Sequence, residues 1–135
     1  MIINNSWVLK RLKFLLAASL WLLSVAVASL ISANYLPDVE VDVTYLDKLV
    51  HAAFYMVATF LLYLHFRNSQ QPRILLKIAM FCFGYGMIIE VLQYALPYNR
   101  GFEWADMMAN GFGILLAIML IKFVLSPAGQ GKGKF

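Results

Sequence analysis

Four long apolar runs, at residues 14–32, 46–66, 74–96 and 104–125, alternate with three short polar stretches. Each run is about as long as the ~20 residues a helix needs to cross a hydrocarbon core. The pattern predicts an all-α, polytopic membrane protein with four transmembrane helices in one bundle. Residues 1–13 precede the bundle, 14–125 form it, and the Gly-rich, basic tail 126–135 reads as disordered. Pro37 argues against a helix running through the stretch after the first run, and Pro97 stops the third. The stretch RNSQQPR (67–73) reads as a polar turn and PYNRGFE (97–103) as a short loop. Ala26-Val27-Ala28 has the small-x-small form of a signal-peptide cleavage site, but the apolar run continues past it. The first helix is therefore read as retained.

Composition agrees with this class. The chain of 135 residues is 62% hydrophobic and 13% charged, with a mean hydropathy of +0.74. Soluble domains have about 25% charged residues. The net charge of +4 does not indicate nucleic acid, because no basic cluster is interleaved with exposed aromatics. The placement of the charges explains it better. Lys10, Arg11, Lys13, Arg67, Arg73, Lys77, Lys122, Lys132 and Lys134 fall on the side of the termini and the middle loop. Only Lys48 and Arg100 fall on the other, where all seven acidic residues also lie. The positive-inside rule then puts both termini in the cytoplasm.

Small residues suggest where helices meet. Ala105, Ala109, Gly113 and Ala117 make one four-residue stripe, and Ser24, Ala28 and Ser32 another. Gly84-Tyr85-Gly86 and Gly111-Phe112-Gly113 read as packing or kink sites, since neither stands in a strand-turn-helix context. Trp104, Tyr45, Tyr94 and Tyr98 suit an outer aromatic belt. The single cysteine, Cys82, excludes an internal disulfide and reads as a small mid-helix hydrophobe.

The chemistry gathers at three places. DKLVHAAFY sets Asp47, His51 and Tyr55 at i, i+4 and i+8, on one face of the second helix, with Lys48 beside them. Glu90 and Gln93 lie near the end of the third, and Arg100 follows in the loop. Asp106 and Asn110 open the fourth. At 1.5 Å per residue, His51 lies ~6 Å below Asp47, Glu90 ~10 Å below Pro97 and Asn110 ~6 Å below Asp106, so all reach overlapping depths. The expected site is an outward-facing polar pocket of Asp47, Lys48, His51, Glu90, Gln93, Arg100, Asp106 and Asn110. Each residue alone has a plainer reading. Asp47 and Asp106 suit helix N-termini, Lys48 can snorkel, and Gln93 and Asn110 can act as hydrogen-bond glue. Tyr55 reads as a packed aromatic, and His65, at the opposite end of its helix, as interfacial. Glu90 is harder to explain so, because an intramembrane charge costs ~2.5–3.5 kcal/mol on insertion scales and marks a partner or a role. Its expected partner is Arg100.

At these residues the chain resembles the VanZ-like family of small bacterial membrane proteins. The resemblance rests on Asp47-Lys48-x-x-His51, Glu90-x-x-Gln93, Arg100 and Asp106-x-x-x-Asn110-Gly111, within about residues 46–115. It implies a multi-pass protein of the bacterial cytoplasmic (inner) membrane acting near the cell envelope. The family's first member accompanies glycopeptide-resistance genes and gives teicoplanin resistance. The resemblance implies no reaction.

Two functional readings follow. In the first, the pocket binds an envelope lipid or a glycopeptide-like ligand, in a resistance-type role. In the second, a membrane enzyme acts on a lipid-linked substrate at the outer leaflet. Asp47, His51, Glu90 or Asp106 would then serve as acid or base, or hold a divalent metal. No cofactor motif and no Ser-His-acid arrangement supports the second. A proton or ion path is disfavoured by the largely apolar inner half, and hydrogen-bond glue is the structural alternative.

Overall fold

The computed structural model describes residues 5–31, 43–96 and 102–125. Four helices account for nearly all of them: α1 (Asn5–Leu30), α2 (Val43–Phe66), α3 (Ile74–Ala95) and α4 (Trp104–Leu120), the last continued by a π-helical turn, Ile121–Leu125. No strand occurs among the described residues. Each helix, α4 together with its π-helical turn, provides a stretch of 22 or 23 residues long and apolar enough to cross a membrane. Such a stretch spans ~33 Å at the helical rise, against a hydrocarbon core of about 30 Å. α1 begins earlier than its apolar run, taking in Lys10, Arg11 and Lys13.

Pairwise contacts fix the directions. Lys48 meets Asp106 and His51 meets Asn110, so α2 and α4 run parallel. His51 lies beside Glu90, and Gly86 beneath Tyr55, so α3 is antiparallel to α2. Trp21 Nε1 donates to the Phe54 carbonyl (2.9 Å), and the His65 ring nitrogen Nδ1 donates to the Arg11 carbonyl (2.9 Å), so α1 opposes α2. The bundle is thus up-down-up-down. The start of α1 and the end of α4 lie at one end of it, and Asp47 lies at the other. α2 packs on all three other helices, and α1 and α4 lie on opposite sides of the α2–α3 pair.

The core is largely apolar, but the outer surface is unlike that of a soluble bundle. Large apolar residues on every helix face outward, including Leu16, Leu23, Leu49, Met80, Ile88, Met108 and Leu115. Seven polar residues are buried inside: Ser29, His51, Thr59, Glu90, Gln93, Asp106 and Asn110. Lipid provides no hydrophobic drive between helices, so association relies on close fit and interhelical hydrogen bonds.

The close fit is concentrated on α4. A Cβ built on Gly113 would stand 2.7 Å from the Ala52 carbonyl carbon and 2.9 Å from its Cα, and closer still to its oxygen. The backbones of α2 and α4 touch here, as the α4 stripe suggests, with Ala117 also buried while Ala105 is exposed. Gly86 is a second close approach, with Tyr55 3.1 Å from the added Cβ. Gly84 differs, having nothing within 4 Å. The α1 stripe is a correction. Ser24 and Ala28 face outward, and α1 packs instead through Ala18, Val25 and Ser29, flanked by Trp21 and Leu22. The Ser24 hydroxyl is satisfied within its own helix by the Leu20 carbonyl (2.8 Å), so it needs no neighbour. Ser32 lies outside the described residues. Cys82 is fully buried, and Tyr45, Tyr94 and Trp104 are exposed. Tyr98 also falls outside the description.

Arg73, just before α3, holds a left-handed conformation (φ 54°). A side chain there costs roughly 1–2 kcal/mol that glycine avoids. Arg73→Gly is therefore expected to raise the thermal unfolding midpoint in detergent slightly, by up to about 1 kcal/mol in stability once glycine's entropy is counted.

Candidate functional site

The polar residues converge because three helices bring their Asp47-side ends to one level. On α2, the i, i+4, i+8 spacing aims Asp47, His51 and Tyr55 at the bundle, with Asp47 half-buried and the other two buried. On α4, Asp106 and Asn110 repeat that spacing one helix away, both buried. On α3, Glu90 and Gln93 face inward.

Two linked groups result. The upper one centres on Lys48, whose ammonium contacts the Asp106 carboxylate directly, Glu103 at 2.6 Å and Asp47 at 3.7 Å. Lys48 thus lies among carboxylates from both sides of the α2–α4 contact, all at its Asp47 end. The lower group centres on His51. Its Nδ1 lies 3.0 Å from Oδ1 of Asn110 and 3.7 Å from Oε1 of Glu90, and its Nε2 lies 3.9 Å from Asp47. Glu90 and Asn110 are each only 1% exposed, so this group is sealed from the surroundings of the bundle. Asn110 Oδ1 can only accept, so in this bond Nδ1 carries a proton and donates to it.

Of the eight candidates, Asp47, Lys48, His51, Glu90, Asp106 and Asn110 form this connected set. Gln93 does not join it. Its amide donates to the Ser29 carbonyl (2.6 Å) and ties α3 to α1. Arg100, and with it the expected Glu90–Arg100 pair, lies outside the described residues; His51 is a described neighbour of Glu90. Glu103 is the residue that sequence reasoning missed. It stands three positions before Asp106, one helical turn, so a carboxylate at i and i+3 was a signal for a shared cation.

Beside the polar set lies a shallow groove of ≈ 500 Å³ between α2 and α4, lined by Tyr45, Lys48, Leu49, Ala52, Met108, Ala109 and Phe112. Lys48 alone belongs to both. The groove's wall is otherwise apolar or aromatic, the chemistry that accepts a hydrocarbon chain. The polar residues themselves pack against one another and do not line this groove.

No curated protein and no solved structure matches the chain. A family model does, that of VanZ/LLP1, over residues 12–125. The matched stretch takes in α1, which the motif residues alone do not reach. With four helices long and apolar enough to span a membrane, and a match over most of its length, the chain is a membrane protein that belongs to the VanZ-like family.

Proposed function

We propose that this protein sits in the bacterial inner membrane with both termini in the cytoplasm and binds an envelope lipid or a lipid-like, glycopeptide-type ligand at its outer end. The orientation rests on the nine basic residues that fall on the side of the termini and the middle loop. The observation that carries the binding reading is the position of Lys48, at once on the wall of the apolar groove and among the carboxylates of the polar set. An amphiphile meets both at once, its chain along Leu49, Met108 and Phe112 and its polar head at Lys48, Glu103 and Asp106. A role in envelope protection follows from this reading.

A second reading is favoured by one arrangement. His51, with its tautomer set by Asn110, keeps Nε2 as a base, and Asp47 stands next to it. A base so placed suits proton transfer on a lipid-linked substrate.

The test is a deletion strain challenged with a panel of envelope-targeting antibiotics and complemented with variants. The expected result is sensitivity that the wild type restores and that Lys48→Met, His51→Ala and Asp106→Asn do not. Phospholipid retained by the purified protein in native mass spectrometry is expected to fall for Ala109→Phe, which fills the groove. Complementation by all three site variants, with unchanged lipid retention in Ala109→Phe, would discard the proposal.

A further inference from the structure

We propose that Asp47, His51 and Asp106 bind one divalent transition ion of the Zn²⁺ class at the Asp47 end of the α2–α4 pair. One donor atom from each of the three lies within 4.8 Å of the others. Proximity of acids alone would not carry this. The second observation is the state of His51, which is 5% exposed. Its Nδ1 is committed as a donor to Asn110, with Glu90 behind it. In the neutral ring Nε2 then holds the lone pair, and it makes no hydrogen bond among the described residues. It faces Asp47 at 3.9 Å, beyond hydrogen-bonding reach. A buried imidazole with one nitrogen anchored on oxygen acceptors and the other turned toward carboxylates is how metal-binding histidines are held.

The carboxylates already hold a cation. The Lys48 ammonium rests on Asp106, Glu103 and Asp47, three carboxylates around a single positive charge. A divalent ion offsets that charge better, and the flexible lysine stem lets Nζ swing toward the groove. Ion–ligand distances of about 2.0–2.2 Å require the donors to close to roughly 3.3–3.6 Å of one another. Side-chain rotation of the half-buried Asp47 supplies much of that movement. One imidazole and two carboxylates suit Zn²⁺, whereas Mg²⁺ and Ca²⁺ take oxygen ligands throughout. Three protein ligands leave a fourth position open. The site goes beyond the envelope-ligand reading and does not depend on it.

The experiment is isothermal titration of Zn²⁺, with Mg²⁺ in parallel, into full-length protein stripped of metal and held in detergent. One Zn²⁺ per chain is expected, with affinity at least tenfold weaker in Asp47→Asn and in His51→Ala. Mg²⁺ is expected to bind at least tenfold more weakly than Zn²⁺. Asp47 is partly exposed, so Asp47→Asn carries the test if His51→Ala does not fold, with helical circular dichroism as the check. Absence of saturable Zn²⁺ binding, Zn²⁺ affinity unchanged in Asp47→Asn, or Mg²⁺ bound as tightly would each overturn the proposal. Any of these leaves the antibiotic and lipid-retention results untouched, so the two readings fail separately.

Discussion

Gly113→Ala is expected to lower the thermal unfolding midpoint in detergent, while Gly111→Ala is expected to leave it unchanged or raise it. The two glycines stand two residues apart on one helix, so their intrinsic propensities are equal. Alanine gains roughly 0.5–1 kcal/mol over glycine within a helix, wherever its methyl group finds room. At Gly111 the added carbon meets only an edge of the Phe83 ring, at 3.7 Å, which is ordinary contact. At Gly113 it runs into the Ala52 backbone, with the carbonyl carbon at 2.7 Å. Backbone has no rotamer to escape into, so α2 and α4 must part. Overpacking of this kind costs about 1–3 kcal/mol, and more for a larger residue such as leucine. The separation also moves Lys48 and His51 away from Asp106 and Asn110, because the contact lies within one turn of the His51–Asn110 pair and about two turns from Asp106. Gly113→Leu should therefore abolish function as well as stability. Equal melting temperatures for Gly113→Ala and Gly111→Ala would show that the two helices do not meet as described.

Asn110→Leu carries the second large effect. Asn110, only 1% exposed, accepts at Oδ1 the hydrogen bond from His51 Nδ1. Leucine leaves that donor without its nearest acceptor, at about 1–3 kcal/mol for a buried unsatisfied group. It also crowds Gly86, whose added Cβ would already lie 3.0 Å from Asn110 Nδ2. The expected outcome is a midpoint several degrees lower and loss of the Nδ1-protonated tautomer of His51, read from imidazole nitrogen chemical shifts. Asn110→Gln keeps the acceptor group one carbon further out, and is expected to retain part of the stability. If Asn110→Leu kept both the midpoint and the tautomer, Asn110 would not be what orients the ring.

Much of this arrangement was legible in the sequence, for reasons specific to membranes. A helix surrounded by hydrocarbon must be apolar on its outside, so each polar residue inside a run stands out. That is how Asp47, His51, Glu90, Asp106 and Asn110 were visible, and four-residue spacing assigned them to inward faces. Alternation of helices then placed their ends at one level. Other features leave no such trace. Gln93 looked like a site residue because its side chain is polar, yet its partner is a backbone carbonyl on α1, which every residue possesses. Lys48 could be read alone as a snorkelling side chain, since no local spacing reveals that Glu103 and Asp106, more than fifty positions away, meet its ammonium. On α1 the serine stripe imitated an interface because serine occurs in membrane helices for two reasons, fit and self-satisfaction. Only the second applies to Ser24.

That α1 attachment has a further consequence. Its carbonyls at Arg11, Leu22 and Ser29 accept bonds from His65 of α2, Tyr85 of α3 and Gln93 of α3. In each case the chemical demand falls on the donor alone, since the receiving oxygen is common to all amino acids. For these bonds α1 behaves as a rail: any residue at the three positions offers the oxygen, so the bonds themselves depend on the identities of His65, Tyr85 and Gln93.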